Sequence, residues 1–453
     1  MLIKLLCNPF RACRQQDAIG LKELFSSVSS IFDSGEEGRT YRLRGWIYRT
    51  RSSGSIVFVV VRDATGIIQC TVKKSELPEA DFQNATRALI ESSVEAEGVL
   101  RKDKRAPGGY ELVATSFKVV SFSEPFPITE NQSEPFLLDN RHLWIRSREQ
   151  IAIMKVKEEV LRSAREWFHE NRFTEVTPPI LTTNACEGGT TLFSLKYFDE
   201  NAYLSQSAQM YLEAITFSLE RVFAVTPSFR AEKSRTPRHL TEYWHLEGEE
   251  AWVRNEENMD IQEELVSYIV QSAVARKREE LELLKRDTAD LLSVRPPFAR
   301  ITYAKAIEIL RDKGMKAEWG DDFGTEEERK LTEDSRIPVF ITNFPKEVKA
   351  FYMKEDEEDP RTYRCADLIA PGGFGEIIGG SERETDVKKM LERMKAQSIP
   401  LEPYRWYLDL RKYGSVPHSG FGLGVERIVR WICGLEHIRD AVPFPRTPSR
   451  IYP

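Results

Sequence analysis

The chain has 453 residues, 41% of them hydrophobic and 30% charged, and a formal net charge of −6. That length exceeds one typical domain, so two or more folding units are expected. No apolar stretch approaches the roughly 18 to 20 residues of a membrane helix, and the acidic balance gives no sign of nucleic-acid binding through bulk charge. Six cysteines (Cys7, Cys13, Cys70, Cys186, Cys365 and Cys433) form no CxxC pair, which argues against a zinc ribbon or a disulfide framework and for a reducing, cytoplasmic setting. The opening MLIKLLCNPFRACRQQ is basic but short and without serine, a faint match to a targeting peptide.

In chain order, residues 1–38 form an N-terminal extension with a helical pattern around LKELFSSVSSIF, followed by the polar DSGEEGRT. From Tyr41 the pattern changes. YRLRGWIYRTR, SIVFVVVRD, GIIQCTVKK, VEAEGVLRK and YELVATSFKVVSFSE are short β-rich segments parted by SSG, ATG and APGG turns, the signature of a small five-stranded barrel or sandwich. Residues 39–123 are therefore expected to be an OB-type module, and the proline-punctuated residues 124–140 a hinge. REQIAIMKVKEEVLRSAREWFHENRF then repeats apolar residues at helical spacing. Residues 141–453 mix strands (AYLSQS, RVFAVTPSFRA, YWHLEGEEAWV, VFITNF, WYLDL) with helices such as 256–287, which favours an antiparallel α+β domain over a doubly wound sheet. KEDEEDP, residues 354–360, reads as a solvated acidic loop.

Three windows carry chemistry. PSFRAEKSRTPRHLTEYWHLEGE, residues 227–249, sets Arg230, Arg238 and His239 in a polar loop between two strands. Guanidinium groups bind phosphate oxygens bidentately and stay charged, but ion pairing with the nearby glutamates explains the window equally well. GFGLGVERIVRWI, residues 420–432, places glycines before an apolar helix with Arg427 in its first turns; the glycines suit a closely approaching ligand or simply the start of a helix. CADLIAPGGFGEIIGGSERE, residues 365–384, supplies Asp367 and Glu376, hard oxygen ligands suited to magnesium bridging phosphates.

Together these windows resemble the motifs of class II aminoacyl-tRNA synthetases: GFGLGVER the third motif, PSFRAEKSRTPRHLTEYWHLE the second, and FTEVTPPIL, residues 173–181, the first, with Pro179 at a dimer-interface proline. Within that class PGGFGEIIGGSERE, FPKEVKAFYMK and WYLDLRKYGSVPHSGFGLGVER are similar to segments of the asparaginyl family, of archaeal or eukaryotic type. LSQSAQMYLEA, residues 204–214, is closer to aspartyl wording, but Leu212 stands where aspartyl enzymes carry the lysine that pairs with the substrate carboxylate. A buried carboxylate without its cation is costly and a neutral amide is not, so Leu212 argues against aspartate. The OB module separates the chain from synthetase-derived asparagine synthetases, and Arg230, Glu376 and Arg427 from non-catalytic paralogues.

The resemblance implies an ATP-dependent aminoacyl-tRNA ligase with ATP, L-asparagine and tRNA(Asn) as substrates, magnesium as cofactor, a homodimeric assembly and no membrane association. It implies that Arg230 holds the α-phosphate and the substrate carboxylate, that Arg238 and His239 reach the outer phosphates, and that Arg427 holds the γ-phosphate and covers one adenine face. Tyr243 would cover the other face, with Glu232, Leu240 and Gly424 completing the nucleotide site. Asp367 and Glu376 would hold the metal, with Gly379 where aspartyl enzymes often carry a metal-contacting serine. Glu187 and Gln209 would receive the α-ammonium, while Arg383 donates to the side-chain carbonyl of asparagine and Glu247 accepts from its amide, in a pocket that includes Leu212 and Gly379. In the OB module Arg42, Arg44, Arg49, Arg51 and Arg62 alternate with aromatics, which suits a single-stranded RNA loop; Trp46 is expected to pack the barrel. Phe58 and Gln69 are spaced as in the family's anticodon-reading pair, with Arg49 and Arg51 on the phosphates.

Overall fold

The computed structural model describes residues 25–186, 192–233 and 236–453. Two compact units divide between Gln132 and Ser133. In the first, β1 (Thr40–Ser53), β2 (Ile56–Arg62), β3 (Ile67–Lys73), β4 (Ser93–Lys102) and β5 (Tyr110–Ser121) close into a barrel in the order β1-β2-β3-β5-β4. Period-two alternation decides which side chains fill it: Val57, Val59 and Val61 from β2 meet Ile68, Cys70 and Val72 from β3 in the interior. The helix Val28–Ser34, N-capped by Ser27, adds Val28 and Ile31 to that core. The rest of the helical pattern noted before it lies outside the described residues.

The second unit contains β6 (Thr174–Glu175), a small sheet of β7 (Leu181–Thr182), β8 (Ser194–Tyr197) and β9 (Glu200–Leu204), and then β10 (Arg221–Phe229), β11 (Glu242–Ala251), β12 (Ala299–Thr302), β13 (Val339–Thr342), β14 (Cys365–Ala370), β15 (Gly375–Glu382) and β16 (His418–Gly424). Eight strands form one sheet in the order β12-β13-β14-β15-β16-β11-β10-β6. All its pairings are antiparallel except β12 with β13 and β10 with β6. This is the expected OB barrel followed by an antiparallel α+β domain.

One face of the sheet is apolar. The Arg148–Glu170 helix starts at Ser147, whose side chain accepts from the Gln150 amide, and it buries Ile153, Val156, Val160, Ala164, Trp167 and Phe168 at helical spacing. The Asn255–Arg276 helix packs beside it with Leu265, Val266, Ile269, Val270 and Ala273. Phe168 sits at the centre, stacked on Phe223 of β10 with centroids 4.3 Å apart and edge-on to Phe173 at 4.9 Å.

Several sequence expectations need correction. WYLDL is not a strand: Arg405–Asp409 is a short helix in which Tyr407 and Leu408 are buried and Trp406 stacks on Tyr211 at 5.2 Å. A short apolar run carries no periodicity that separates the two forms. AYLSQS is a strand only to Leu204, and the segment after it leads into the Gln209–Leu219 helix. Gly420 and Gly422 do not mark a helix start but alternate along β16 in the middle of the sheet, whereas Gly424, the last residue of that strand, is the N-cap of the Val425–Cys433 helix. The acidic loop is only partly solvated, because Asp356 is buried against the Asn343 amide (2.5 Å) and Glu355 pairs with Lys346, Lys389 and Arg393. Residues 134–139 form the helix Glu134–Asp139 within the second unit.

Replacing Phe168 by Ala removes the aromatic centre of this core, and a loss of roughly 3–5 kcal/mol is expected. Denaturant unfolding of the native and variant chains measures it, and a loss under about 1 kcal/mol would contradict the packing described.

Candidate active site

The opposite face of the sheet forms a cavity of about 760 Å³, within the size range of small-ligand sites. Its floor depends on β16. A Cβ on Gly420 would lie 2.1 Å from the Glu249 carboxyl, and one on Gly422 would lie 2.7 Å from His245 Nε2. Glycine there lets β11, the neighbouring strand, aim His245, Glu247 and Glu249 across β16 into the cavity.

One end is a cluster of cations. Arg230, Arg238, His239, Leu240 and Tyr243 reach it from the segment between β10 and β11 and from the start of β11, with Glu232 beside them. Arg427, three residues into the Val425–Cys433 helix, donates to Glu376 through the side chain (3.1 Å) and the carbonyl (3.0 Å). Gly424 precedes that helix and lines the cavity. Arg238 pairs with the buried Glu328, and the Arg230 guanidinium lies 5.6 Å from the Tyr243 ring. Burial, then Arg427, Arg238 and Arg230, push the His239 imidazole down to about 4.

Asp367 on β14 and Glu376 on β15 converge above Gly379, where a Cβ would stand 3.4 Å from Glu376 Oε1 and 3.6 Å from Asp367 Oδ1. Lys349 Nζ holds the other oxygen of Asp367 at 2.6 Å. Burial would raise Glu376, but Arg427, Lys349 and Arg230 hold it down at about 2. One hard oxygen from each carboxylate is thus turned toward a common point, which fits a magnesium ion bound by two carboxylates and substrate phosphates. Among the described residues no cluster of three or more His, Cys, Asp or Glu side chains forms a metal site.

The other end is built from paired buried charges. Glu247 accepts from the Ser207 hydroxyl and from the Ala208 amide at 2.8 Å, and burial raises its proton affinity. Arg383 bonds Glu249 and the Ser381 hydroxyl (2.7 Å), and the Tyr352 ring lies 5.5 Å from its guanidinium. Gln209 lines the cavity at the first residue of its helix. Leu212 needs correction as a pocket residue: it is fully buried behind the cavity with Ala208, Val222 and Ala224, because the helix turns that position toward β10. Glu187 lies outside the described residues. Ser207, Glu249, Glu328 and Lys349 also line the cavity. The alternation of His245, Glu247 and Glu249 along β11 is the signal in the sequence for Glu249, whereas Lys349 and Glu328 come from distant segments that no local pattern connects to the cavity.

On the barrel, Arg49 and Arg51 of β1 face Val60 and Phe58 of β2, which in turn face Gln69 and Thr71 of β3. All four expected anticodon residues therefore share one outer face of three strands. Arg51 lies 5.0 Å from the Phe58 ring, and Gln69 donates to Glu111 at 3.0 Å; Glu111 was not anticipated. Arg62, expected among the RNA contacts, is instead buried, with its Nη2 donating to both oxygens of Glu91 at 3.0 and 3.1 Å. Trp46 is 44% exposed on the barrel surface, with Arg62 packed against its ring.

Comparison with known proteins decides the family. Residues 133–448 match the model of class II tRNA synthetases (D, K and N), and residues 41–120 match the OB-fold nucleic acid binding domain. The chain is 54% identical to the asparagine–tRNA ligase of Thermococcus gammatolerans over 417 residues, 92% of this chain and 97% of that one. It belongs to the asparagine–tRNA ligase family. The crystal structure of asparaginyl-tRNA synthetase from Pyrococcus horikoshii complexed with asparaginyl-adenylate superimposes with a TM-score of 0.90 at 53% identity, covering 92% of this chain and 97% of that chain. The Entamoeba histolytica enzyme in complex with asparaginyl-adenylate gives 0.84 at 35% identity, covering 93% and 98%. No described helix of this asparagine–tRNA ligase family member is long and apolar enough to cross a membrane.

The setting of His239 makes a prediction. Its imidazole should stay neutral from pH 8 down to about 4, against 6.5 for an ordinary histidine. Histidine-selective NMR titration reads this directly, and a midpoint near 6.5 would show that neither burial nor the three arginines act on the ring as described.

Proposed function

We propose that the chain activates asparagine with ATP, forming asparaginyl-adenylate and pyrophosphate, and then transfers the asparaginyl group to the 3′-terminal adenosine of tRNA(Asn). The observation that carries this reading is the cavity's polarity: a guanidinium cluster at one end, and at the other a buried donor, Arg383, facing a buried acceptor, Glu247. Relatives more than 50% identical are asparagine–tRNA ligases, and a solved one holds asparaginyl-adenylate.

Activation is an in-line attack by the substrate carboxylate on the α-phosphorus, so two anions must be held together while charge builds up. Arg230 takes the α-phosphate and the substrate carboxylate. Arg238 and His239 reach the outer phosphates, and a neutral His239 donates one N–H there. Arg427 holds the γ-phosphate and one adenine face, Tyr243 the other, with Glu232, Leu240 and Gly424 around the nucleotide. Asp367 and Glu376 would hold magnesium, which when bound would neutralise charge on the phosphates. Gln209, with Glu187, receives the α-ammonium.

Arg383 donates to the side-chain carbonyl of asparagine and Glu247 accepts from its amide nitrogen. Aspartate would present a carboxylate to Glu247, and a site built to hydrogen-bond one group rejects an isostere lacking it by roughly 10⁴-fold. On the barrel, Phe58 stacks a splayed anticodon base, Gln69 reads its edge, and Arg49 and Arg51 hold phosphates. The Gln69–Glu111 bond supports this by fixing which face of the amide is presented. The enzyme acts as a cytoplasmic homodimer. A groove along the Arg148–Glu170 helix, lined by Met154, Leu161 and Trp244, and the exposed Pro179 and Ile180 support pairing with a second copy.

ATP–pyrophosphate exchange tests the reading. Asparagine should support exchange with kcat/KM at least about 10⁴-fold above aspartate. Arg427→Ala should lower kcat by about 10²-fold or more. Exchange driven preferentially by aspartate would reverse the assignment of Glu247.

A further inference from the structure

Glu213 lies one helical turn beyond Gln209, is fully buried, and does not line the cavity. Its carboxylate nonetheless gathers groups from four segments. Gln209 Nε2 donates at 3.0 Å, the Tyr407 hydroxyl lies 2.7 and 2.8 Å from its two oxygens, Arg411 Nη2 donates at 2.6 Å, and His418 Nε2 lies 3.2 Å away. Arg383 Nε lies between two carboxylates, 3.9 Å from Glu213 Oε1 and 3.4 Å from Glu249 Oε2, and Nη2 of the same guanidinium bonds Glu249 as well. Two residues of the asparagine end, Gln209 and Arg383, therefore take their orientation or their charge balance from a residue that cannot touch the substrate.

We propose that Glu213 is a positioning residue that sets the preference for asparagine over aspartate, by flanking Arg383 with a second carboxylate and by fixing the Gln209 amide. The inference rests on the asparagine reading above. Around the substrate side chain the guanidiniums of Arg383 and Arg411 face three carboxylates: Glu213, Glu247 and Glu249. A compensated Arg383 still donates a hydrogen bond to a neutral carbonyl but offers little net charge to a substrate carboxylate. Glu213 supplies part of that compensation from 3.9 Å. Burial pushes the Glu249 carboxyl up to about 8 against the pull of Arg383, whereas Glu213, although burial works to raise it too, is held well below the usual carboxylate range by Arg411, His418 and Arg383. Removing its charge would leave Arg383 and Arg411 with excess positive potential, the condition an aspartate carboxylate requires.

The test is ATP–pyrophosphate exchange with asparagine and with aspartate, run on the native enzyme, Glu213→Gln and Glu213→Asp. In Glu213→Gln the ratio of kcat/KM values for asparagine over aspartate should fall about 10- to 100-fold, as a charge removed within about 4 Å of Arg383 demands. KM for asparagine should rise while KM for ATP stays within about twofold. Glu213→Asp retains the charge and should restore most of the ratio. A carboxylate ringed by donors tolerates an amide poorly, so Glu213→Gln/Tyr407→Phe, which removes one neutral donor along with the charge, carries the same expectation if the single variant does not fold. An unchanged ratio in either variant, or an equal fall in kcat for both amino acids with a lowered melting temperature, would reduce Glu213 to a structural role and overturn the proposal. Those results leave the asparagine reading standing. A native enzyme that prefers aspartate overturns that reading first, and this proposal with it.

Discussion

The requirement that every charge buried on the inner face of the large sheet be matched governs the second unit. An ion taken out of water costs several kcal/mol unless opposite charge and hydrogen bonds replace its hydration. This face carries Glu213, Glu247, Glu249, Asp367, Glu376, Arg383 and Arg427, all at least largely buried. The solution is pairing across strands: Arg383 with Glu249, Arg427 with Glu376, Lys349 with Asp367, Arg411 with Glu213. Such pairs require exact strand register, and register requires the opposite face to be packed tightly. The aromatic cluster of Phe168, Phe223 and Phe421 therefore acts on the site as well as on stability. The glycines of β16 belong to the same requirement, because any side chain at Gly420 would collide with the Glu249 carboxyl.

Pairing also explains how a chain of net charge −6 can bind a polyanion. The potential that matters is local. Arg238, from the segment after β10, and Arg427, from the helix after β16, are each held in place by a carboxylate. Fixed dipoles and charges of this kind need no reorganisation as the reaction proceeds, which is where most of their catalytic value lies.

Legibility in the sequence followed periodicity and composition. The barrel strands and the Arg148–Glu170 helix show two-residue and helical repeats over enough length to be read directly. Arg230, Arg238, Asp367, Glu376, Arg383 and Arg427 stand in recognisable windows, and the fold brings all six to one cavity. What failed was local sequence whose structure is set by distant partners. WYLDL has strand composition, but Tyr407 is fixed by Glu213, nearly 200 positions away. Asp356 sits in an acidic run and is buried because Asn343 meets it. Leu212 was placed in the pocket by motif position; its direction depends on helix rotation against β10, which no spacing rule encodes. Glu213 was invisible for a related reason: one Glu in a helix reads as a solvent-facing charge until Tyr407, Arg411 and His418 are seen to converge on it.

The two units use arginine in opposite ways, and the difference follows from burial. On the barrel, Arg49 and Arg51 are exposed and lie against rings, so they keep their hydration and their freedom and can meet an RNA strand whose phosphates vary in position. In the cavity, Arg238 and Arg427 are already committed to carboxylates. A triphosphate entering there would meet guanidiniums already oriented by Glu328 and Glu376 rather than mobile ones. Glu376 Oε1 points with Asp367 toward the space above Gly379, so these two carboxylates are the ones that would hold a divalent cation. Glu376 therefore stands between the guanidinium of Arg427 on one oxygen and the candidate cation position on the other, and a charge change on either side would be felt on both.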